Sequence, residues 1–216
     1  MTKNTNITTT PAQYYPKELS WLAFNERVLQ EAADTSNPII ERIRFLGIYS
    51  NNLDEFYRVR VADVKRLIYI HLNAGNSDTA TQAQQLMQQI QDKVLALTLI
   101  FNKTHKKIVK DLKNYNIFLI TQDEVNEYQR HWLKSYFKNT VLCHIAPVIL
   151  DSKVALINRL NDSGTYFFVA IHRVGKSTIY ATVELPTQFV DRFVVIPPEK
   201  SRTKKYIIML DDIIKL

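Results

Sequence analysis

The 216-residue chain is 46% hydrophobic and 23% charged, fractions typical of globular domains that exclude a fibrous repeat or a wholly disordered chain. No run approaches the roughly 18 consecutive apolar residues of a membrane span, and the polar first ten residues lack the apolar segment of a secretion signal. A single cysteine, Cys143, excludes an internal disulfide and a multi-cysteine zinc site. These features predict a cytoplasmic protein, or one at the periphery of a membrane.

The net charge of +7 predicts attraction to polyanions such as nucleic acid, nucleotides, phosphate polymers or anionic lipid. A loop that cradles phosphate through its backbone needs clustered glycines, and the four glycines of this chain are scattered. Gly175-Lys176-Ser177 matches the end of such a loop, but a predicted strand occupies the position of its first glycine. A hairpin turn explains this tripeptide better.

The first half of the chain shows the periodicity of helices. Residues 1–16 are expected to be a disordered tail, and the apolar spacing predicts a helix over 17–34 with Ser20 as its N-cap. Asn37-Pro38 predicts a second helix over 38–49. Ser50-Asn51-Asn52 is expected to interrupt it, and the spacing from Asn52 to Glu55 resembles a capping box that opens a third helix.

A heptad-like stripe follows the turn-rich residues 73–78. Its members recur at alternating four and three: Ala83, Met87, Ile90, Val94, Leu97, Phe101, Thr104 and Ile108. This spacing predicts a helix of about 30 residues that packs along its whole length, in a bundle or against a partner chain. The end of that helix is rich in lysine, which complements the helix dipole and leaves phosphate binding as an alternative: Lys103, Lys106, Lys107, Lys110 and Lys113.

The second half of the chain changes to short β-type runs. Strands are predicted over 117–120, 193–196 and 206–209, with a hairpin formed by 166–171 and 178–183. The spacing from Thr121 to Glu124 predicts a capping box that opens a helix through 139. The predicted fold class is therefore α+β, with an all-helical N-terminal domain over 17–113 and an α+β domain with a mostly antiparallel sheet over 114–216.

Few residues suggest catalysis or metal binding. The five histidines show no metal-ligand spacing, and the apolar neighbours of Cys143 predict an inert buried thiol. Asp54 and Glu55 are expected in the first turn of a helix, where the dipole stabilises negative charge. Asn52 is predicted to be a cap first, although a side-chain amide can also bind the edge of a base.

Two long runs resemble the start of bacterial polyphosphate kinases: KELSWLAFNERVLQEA at 17–32 and RFLGIYSNNLDEFYRVR at 44–60. The resemblance continues through Leu185-Pro186, Arg192-Phe193 and Ile196-Pro197-Pro198. It implies an enzyme that reversibly transfers the terminal phosphate of ATP to inorganic polyphosphate, through a phosphohistidine and with magnesium. It also implies a helical N-terminal domain, a head domain and two C-terminal catalytic domains.

The resemblance implies a limited role for this chain. It predicts that 114–216 is a head domain incomplete at its C-terminus, and that the reactive histidines and the magnesium ligands lie in the C-terminal domains. No catalytic or metal-binding residue is therefore expected in this chain. The second asparagine of the family's Ser-Asn-Asn-Leu-Asp-Glu-Phe motif contacts the ATP base, and that position is Asn52. The implied partners are ATP or ADP, polyphosphate, the C-terminal domains and, through the head domain, a second copy.

Two other classes of function remain as alternatives. A basic helical module could bind nucleic acid through its third helix or through the lysine-rich end of the fourth. Against this, the aromatic residues lie at predicted core positions instead of alternating with basic residues on one surface: Trp21, Phe24, Tyr57 and Phe101. A structural adaptor that pairs its heptad stripe with another helix would also account for that stripe.

Overall fold

The computed structural model describes residues 15–150, 160–161, 164–175, 177–199 and 203–216. The expected disordered tail lies outside these residues, apart from Tyr15 and Pro16. The chain divides into two compact units, unit 1 over Met1–Asp111 and unit 2 over Leu112–Leu216. Unit 1 is helical and unit 2 combines helices with small sheets, which confirms the predicted α+β class.

The described part of unit 1 contains four α-helices: α1 (Lys17–Ala33), α2 (Ile39–Phe56), α3 (Ala62–Asn73) and α4 (Ser77–Leu112). Helix α1 begins directly after Pro16, whose side chain makes no cap. The Ser20 N–H donates to the Pro16 carbonyl at 3.0 Å, so Ser20 already closes the first helical turn. The prediction of Ser20 as N-cap is therefore wrong.

The expected break at 50–52 is also absent. Helix α2 continues to Phe56, and a π-helical segment, Tyr57–Val61, leads directly into α3. Leu46, Tyr49 and Phe56 are all buried on one side of α2, and packing of that side favours an unbroken helix. Tertiary packing thus overrides the local capping preference of the asparagines.

The core of unit 1 lies among these helices. A buried cluster consists of Leu22, Phe56, Val61, Val64 and Ile90. On α4, the stripe residues Leu97 and Ile108 are 0% and 2% exposed. The predicted long helix is confirmed, at 36 residues, and the residues of its stripe are buried or half-buried. The adaptor hypothesis thereby loses the surface on which it depended.

Unit 2 begins with a short 3₁₀ turn, Lys113–Tyr115. Its elements are β1 (Ile117–Ile120), α5 (Glu127–Tyr136), β2 (Val148–Ile149), β3 (Tyr166–Ile171), β4 (Ile179–Glu184), β5 (Phe193–Ile196), β6 (Lys205–Met209) and α6 (Leu210–Lys215). A π-helical segment, Phe137–Val141, and a 3₁₀ turn, Leu142–His144, extend α5. The predicted strands and hairpin are confirmed to within one residue.

The described strands form two three-stranded sheets, in the orders β1-β6-β5 and β2-β4-β3. Only the β1–β6 pairing is parallel among the described strands, which confirms the mostly antiparallel prediction. Leu133 of α5 packs with Ile120, Ile208 and other core residues of the first sheet. The β3–β4 connection contains Gly175 at φ +70, a conformation that favours glycine in a turn; Lys176 lies outside the described residues.

Helix α5 begins later than predicted. Thr121 and Glu124 do contact each other, since the Thr121 N–H donates to Glu124 Oε2 at 2.9 Å, but they form a turn. The capping box that opens α5 consists of Asn126 and Gln129, whose side chains each accept the other's backbone N–H at 2.8 and 2.9 Å. The same local chemistry occurs twice, and only the second occurrence starts the helix.

Candidate functional site

Asn52 lies in α2, one turn before Phe56, and its half-buried side chain contacts α1. Its Nδ2 donates to Asn25 Oδ1 at 3.1 Å. Asn25 is 0% exposed and donates its own Nδ2 to the main-chain carbonyl of Tyr49 at 3.2 Å. Asn52 therefore joins two helices and does not cap one, which corrects the sequence prediction.

The orientations of both amides follow from these bonds. A carbonyl oxygen can only accept, so Asn25 must turn Nδ2 toward Tyr49 and Oδ1 toward Asn52. Asn52 then uses one of its two N–H groups on Asn25. No described residue bonds its Oδ1 or its second N–H. An acceptor and a donor thus remain side by side on the half-exposed amide, a pattern suited to the edge of a base.

A small cavity of about 140 Å³ lies beside the end of α2 and the π-helical segment that follows it. It is lined by Trp21, Glu55, Phe56, Val59 and Arg60. The rings of Trp21 and Phe56 stack with centroids 4.9 Å apart, so the cavity combines an aromatic wall with an acidic and a basic side chain. The π-helical segment that begins at Tyr57 borders it, and such segments occur frequently at functional sites.

Tyr49 supports the site from within the core. Its ring stacks on Phe101 with centroids 5.5 Å apart, and its side chain is buried. Burial raises the pKa of the Tyr49 hydroxyl, and the nearby charge of Glu26 raises this pKa further. Tyr49 therefore stays neutral at physiological pH, and its part in the site is to hold the carbonyl that Asn25 contacts.

The charged side chains that form ion pairs in this region lie at the surface. Asp54 is well inside α2 and pairs with Arg58 at 2.9 Å, so the interpretation of Asp54 and Glu55 as first-turn acids is wrong. Arg66 lies 3.6 Å from Asp63. These exposed ion pairs contribute little to stability.

Cys143 differs from its prediction. It is exposed and lies in the 3₁₀ turn after α5, where its Sγ contacts the Thr140 carbonyl at 3.5 Å. The change from π-helix to 3₁₀ turn directs Val141 into the core and leaves Cys143 outside. The prediction of a buried thiol is therefore wrong.

The histidines are dispersed. His105 stacks on Phe101, and His144 stacks on Phe189 with centroids 4.8 Å apart. His144 also lines a cavity of about 250 Å³ in unit 2. Within the described part of the chain, no three His, Cys, Asp or Glu side chains converge in a way that could hold a metal ion.

The lysine-rich end of α4 lies at the surface of unit 1. The lysines at the end of α4 are all exposed, and the described residues include no ion pair to them.

Phe24 and Tyr57, expected in the core, are 51% and 41% exposed, and the Arg27 guanidinium lies 5.9 Å from the Phe24 ring centroid. The argument from core aromatics against nucleic-acid binding therefore applies only to Trp21 and Phe101.

Sequence reasoning missed Asn25. The residue lies between Leu22 and Leu29 on the buried side of α1, where an apolar side chain is expected. A polar residue on an apolar stripe must find a hydrogen-bond partner when it is buried. The polar Asn25 at an apolar position of α1 was therefore the feature of the sequence that could have indicated a buried hydrogen bond.

Neither unit contains a described helix whose length and hydropathy would allow it to cross a bilayer.

Comparisons with known proteins agree over most of the chain. The family model for the polyphosphate kinase N-terminal domain matches residues 14–120, and the model for the polyphosphate kinase middle domain matches 128–216. The chain is 46% identical to a polyphosphate kinase of Yersinia pestis and 45% identical to that of Escherichia coli K12, over 94% of its own length. It spans only 29% of the length of each of these relatives.

A solved structure shows the same likeness. The crystal structure of polyphosphate kinase from Porphyromonas gingivalis matches 92% of this chain with a TM-score of 0.75 and 30% sequence identity. The match covers 29% of the length of that protein.

Proposed function

This chain belongs to the polyphosphate kinase family, and we propose that it provides the ATP-base contact and a dimerising surface for transfer of phosphate between ATP and inorganic polyphosphate. In this proposal the phosphohistidine chemistry and its magnesium lie in C-terminal domains outside these 216 residues. The described residues offer no group of three potential metal ligands, so no step is assigned to magnesium in this part.

The observation that carries the proposal is the half-exposed amide of Asn52. Adenine presents a donor, the N6 amino group, beside a ring nitrogen that accepts. The Asn52 amide offers the complementary acceptor and donor, because Asn25 occupies only one of its N–H groups. Asn52 would therefore bind and orient the base while the chemistry proceeds elsewhere.

A contact of this kind affects binding more than turnover. The base lies far from the transferred phosphate, so its contact is the same in the bound substrate and in the transition state. Loss of such a uniform contact raises KM and leaves kcat unchanged. The expected effect is that of one neutral hydrogen bond, about 0.5–1.5 kcal/mol.

The test is Asn52→Ala in the full-length enzyme, with initial rates measured against ATP concentration. We expect KM for ATP to rise about 2- to 12-fold with kcat retained. Asn51→Ala is the matched control, because Asn51 is the adjacent residue of the same type and its side chain is exposed on α2. An unchanged KM in Asn52→Ala would remove Asn52 from the nucleotide site.

Self-association through unit 2 is the second part of the proposal. Its support is the exposed apolar surface of the sheets: Phe168 and Tyr180 on β3 and β4 are 64% and 57% exposed, and Phe193 and Val195 on β5 are 55% and 59% exposed. Large apolar side chains at the surface are typical of interaction sites when they are contiguous.

A further inference from the structure

We infer that Asn25 is the positioning residue that makes Asn52 select adenine over guanine. The inference rests on the proposed function, since it requires Asn52 to contact the base. Asn25 lies on α1, is fully buried and therefore does not touch the nucleotide itself. It acts by holding the Asn52 amide in one of its two orientations.

Asn25 has only one stable orientation. Its Nδ2 donates to the Tyr49 carbonyl at 3.2 Å, and that carbonyl belongs to the backbone of α2, so its position is fixed by the helix. If the Asn25 amide flipped, its Oδ1 would face the Tyr49 carbonyl oxygen, and the two oxygens would repel each other. Asn25 Oδ1 is consequently directed at Asn52 whether or not nucleotide is bound.

The fixed orientation of Asn25 also constrains the Asn52 amide. Its Nδ2 lies 3.1 Å from Asn25 Oδ1. A flip of the Asn52 amide would bring two acceptor oxygens to about that separation with no proton between them. Because Asn25 is excluded from water, solvent cannot relieve that repulsion. The exposed edge of Asn52 therefore presents its oxygen and its N–H in a single order.

Adenine and guanine differ at the edge that Asn52 would contact. Adenine has the N6 amino donor where guanine has the O6 acceptor. With the sugar and phosphates held by the rest of the enzyme, the base cannot turn over to exchange its edges. An Asn52 amide fixed with Oδ1 toward N6 accepts from adenine and repels the O6 of guanine. A freely rotating amide would instead turn its N–H toward O6 of guanine, and Asn52 would then bind either base.

The experiment compares kcat/KM for ATP and GTP in the full-length enzyme. In Asn25→Ala we expect the ATP-to-GTP ratio to fall about 5- to 150-fold, the range of one bidentate base contact. Asn25→Asp should keep the ratio of the unsubstituted enzyme, because a carboxyl group buried against the Tyr49 carbonyl stays protonated, donates its proton to that carbonyl and turns its other oxygen toward Asn52. In the Asn52→Ala background, Asn25→Ala should change the ratio no further.

These outcomes separate a positioning role from a structural one. A residue that only supports the fold would lower activity with both nucleotides and in both backgrounds. The inference is overturned if Asn52→Ala raises KM for ATP but Asn25→Ala leaves the ATP-to-GTP ratio unchanged. It is also overturned if Asn52→Ala raises that KM but GTP transfer stays undetectable in Asn25→Ala. If Asn52→Ala has no effect on that KM, the proposed function fails instead.

Folding of the variants can be checked independently. The Tyr49 carbonyl keeps its partner within the helix when Asn25 is truncated, so we expect Asn25→Ala to fold, with a thermal unfolding midpoint recorded beside each kinetic value. Should Asn25→Ala fail to fold, Asn25→Ser gives the same test, because its shorter hydroxyl side chain does not reach Asn52. Loss of discrimination in Asn25→Ser supports the inference, and an unchanged ratio overturns it.

Discussion

Arg42 connects two helix ends of unit 1 from a single buried side chain. It is 3% exposed. Its Nε donates to the Ala32 carbonyl in the last turn of α1 at 2.9 Å, and its Nη1 donates to Asp111 Oδ2 near the end of α4 at 3.0 Å. Carbonyls in the last turn of a helix lack helical partners and carry negative partial charge, so a buried cation stabilises that end.

Arg42→Ala should lower the free energy of unfolding of unit 1 by about 2–3 kcal/mol. The estimate lies below that for a fully buried ion pair because Asp111 stays partly exposed to water. Trp21 and Trp132 are the two tryptophans of the chain, so Trp21 fluorescence during urea unfolding, in a Trp132→Phe background, reports on unit 1. The exposed pair of Arg44 with Glu41 supplies the control.

Arg44→Ala should cost less than about 0.5 kcal/mol. Equal losses in the two variants would show that burial of Arg42 contributes nothing to the stability of unit 1.

At the scale of single residues, the sequence predicted part of the candidate site. Asn52 was identified through the family resemblance, but its expected role as a cap was wrong, because its partner lies on another helix. Asn25 was missed altogether. A hydrogen bond between residues far apart in sequence leaves no local pattern, and only the packing of α1 on α2 brings these two amides together.

At the scale of elements, α4 presents two opposite surfaces. Leu97 is 0% exposed and Leu99, two residues later, is 73% exposed. This difference follows the 3.6-residue period, which places residues two apart on opposite sides of a helix. The stripe identified in the sequence is therefore the side that packs.

Leu97→Ala should destabilise unit 1 by about 2–5 kcal/mol, because it removes buried contacts and leaves a cavity. Leu99→Ala replaces the same residue type with the same helix former on the solvent side and should change stability by less than about 0.5 kcal/mol. Trp21 fluorescence in the Trp132→Phe background again measures both. A comparable loss in Leu99→Ala would mean that the outer side of α4 is also covered.

The boundaries of helices and strands were predicted correctly where the local sequence favours one conformation, and wrongly where several polar interactions compete. The strands were predicted well because their β-branched and aromatic runs have no helical alternative. The break at 50–52 and the start of α5 were wrong because asparagine, threonine and glutamate can cap, form a turn or bond a neighbouring helix with similar local energy. Packing of Tyr49 and Phe56 decided the first case, and the Asn126–Gln129 box decided the second.

At the scale of the whole molecule, the exposed apolar side of β5 bears on the proposed self-association. Phe193 and Val195 alternate with the buried Val194 and Ile196, and they are paired across the sheet with Met209 and Ile207. Alternate residues of a strand share one face, so these side chains form a contiguous apolar surface.

The 216-residue chain should therefore sediment as a concentration-dependent mixture that includes dimer. The double variant Phe193→Lys with Val195→Lys should shift it toward monomer, because like charges would meet at the apolar surface. Leu95→Lys with Leu99→Lys, on an exposed part of α4, is the matched control and should leave association unchanged. A monomer mass at every concentration, or equal effects of the two double variants, would contradict association through this surface.

The sequence by itself determined the fold class, the long α4 helix, the positions of the longer strands and the family, because these depend on periodicity and on long contiguous motifs. Only the tertiary structure decided that α2 continues through Asn52, that Cys143 is exposed and that Asn25 fixes the Asn52 amide. The physical reason is the range of the interactions. The period of apolar residues is a property of a single helix or strand and can be seen in its sequence. A buried polar group instead forms its hydrogen bond with a residue of the neighbouring element, and residue order alone does not specify that neighbour.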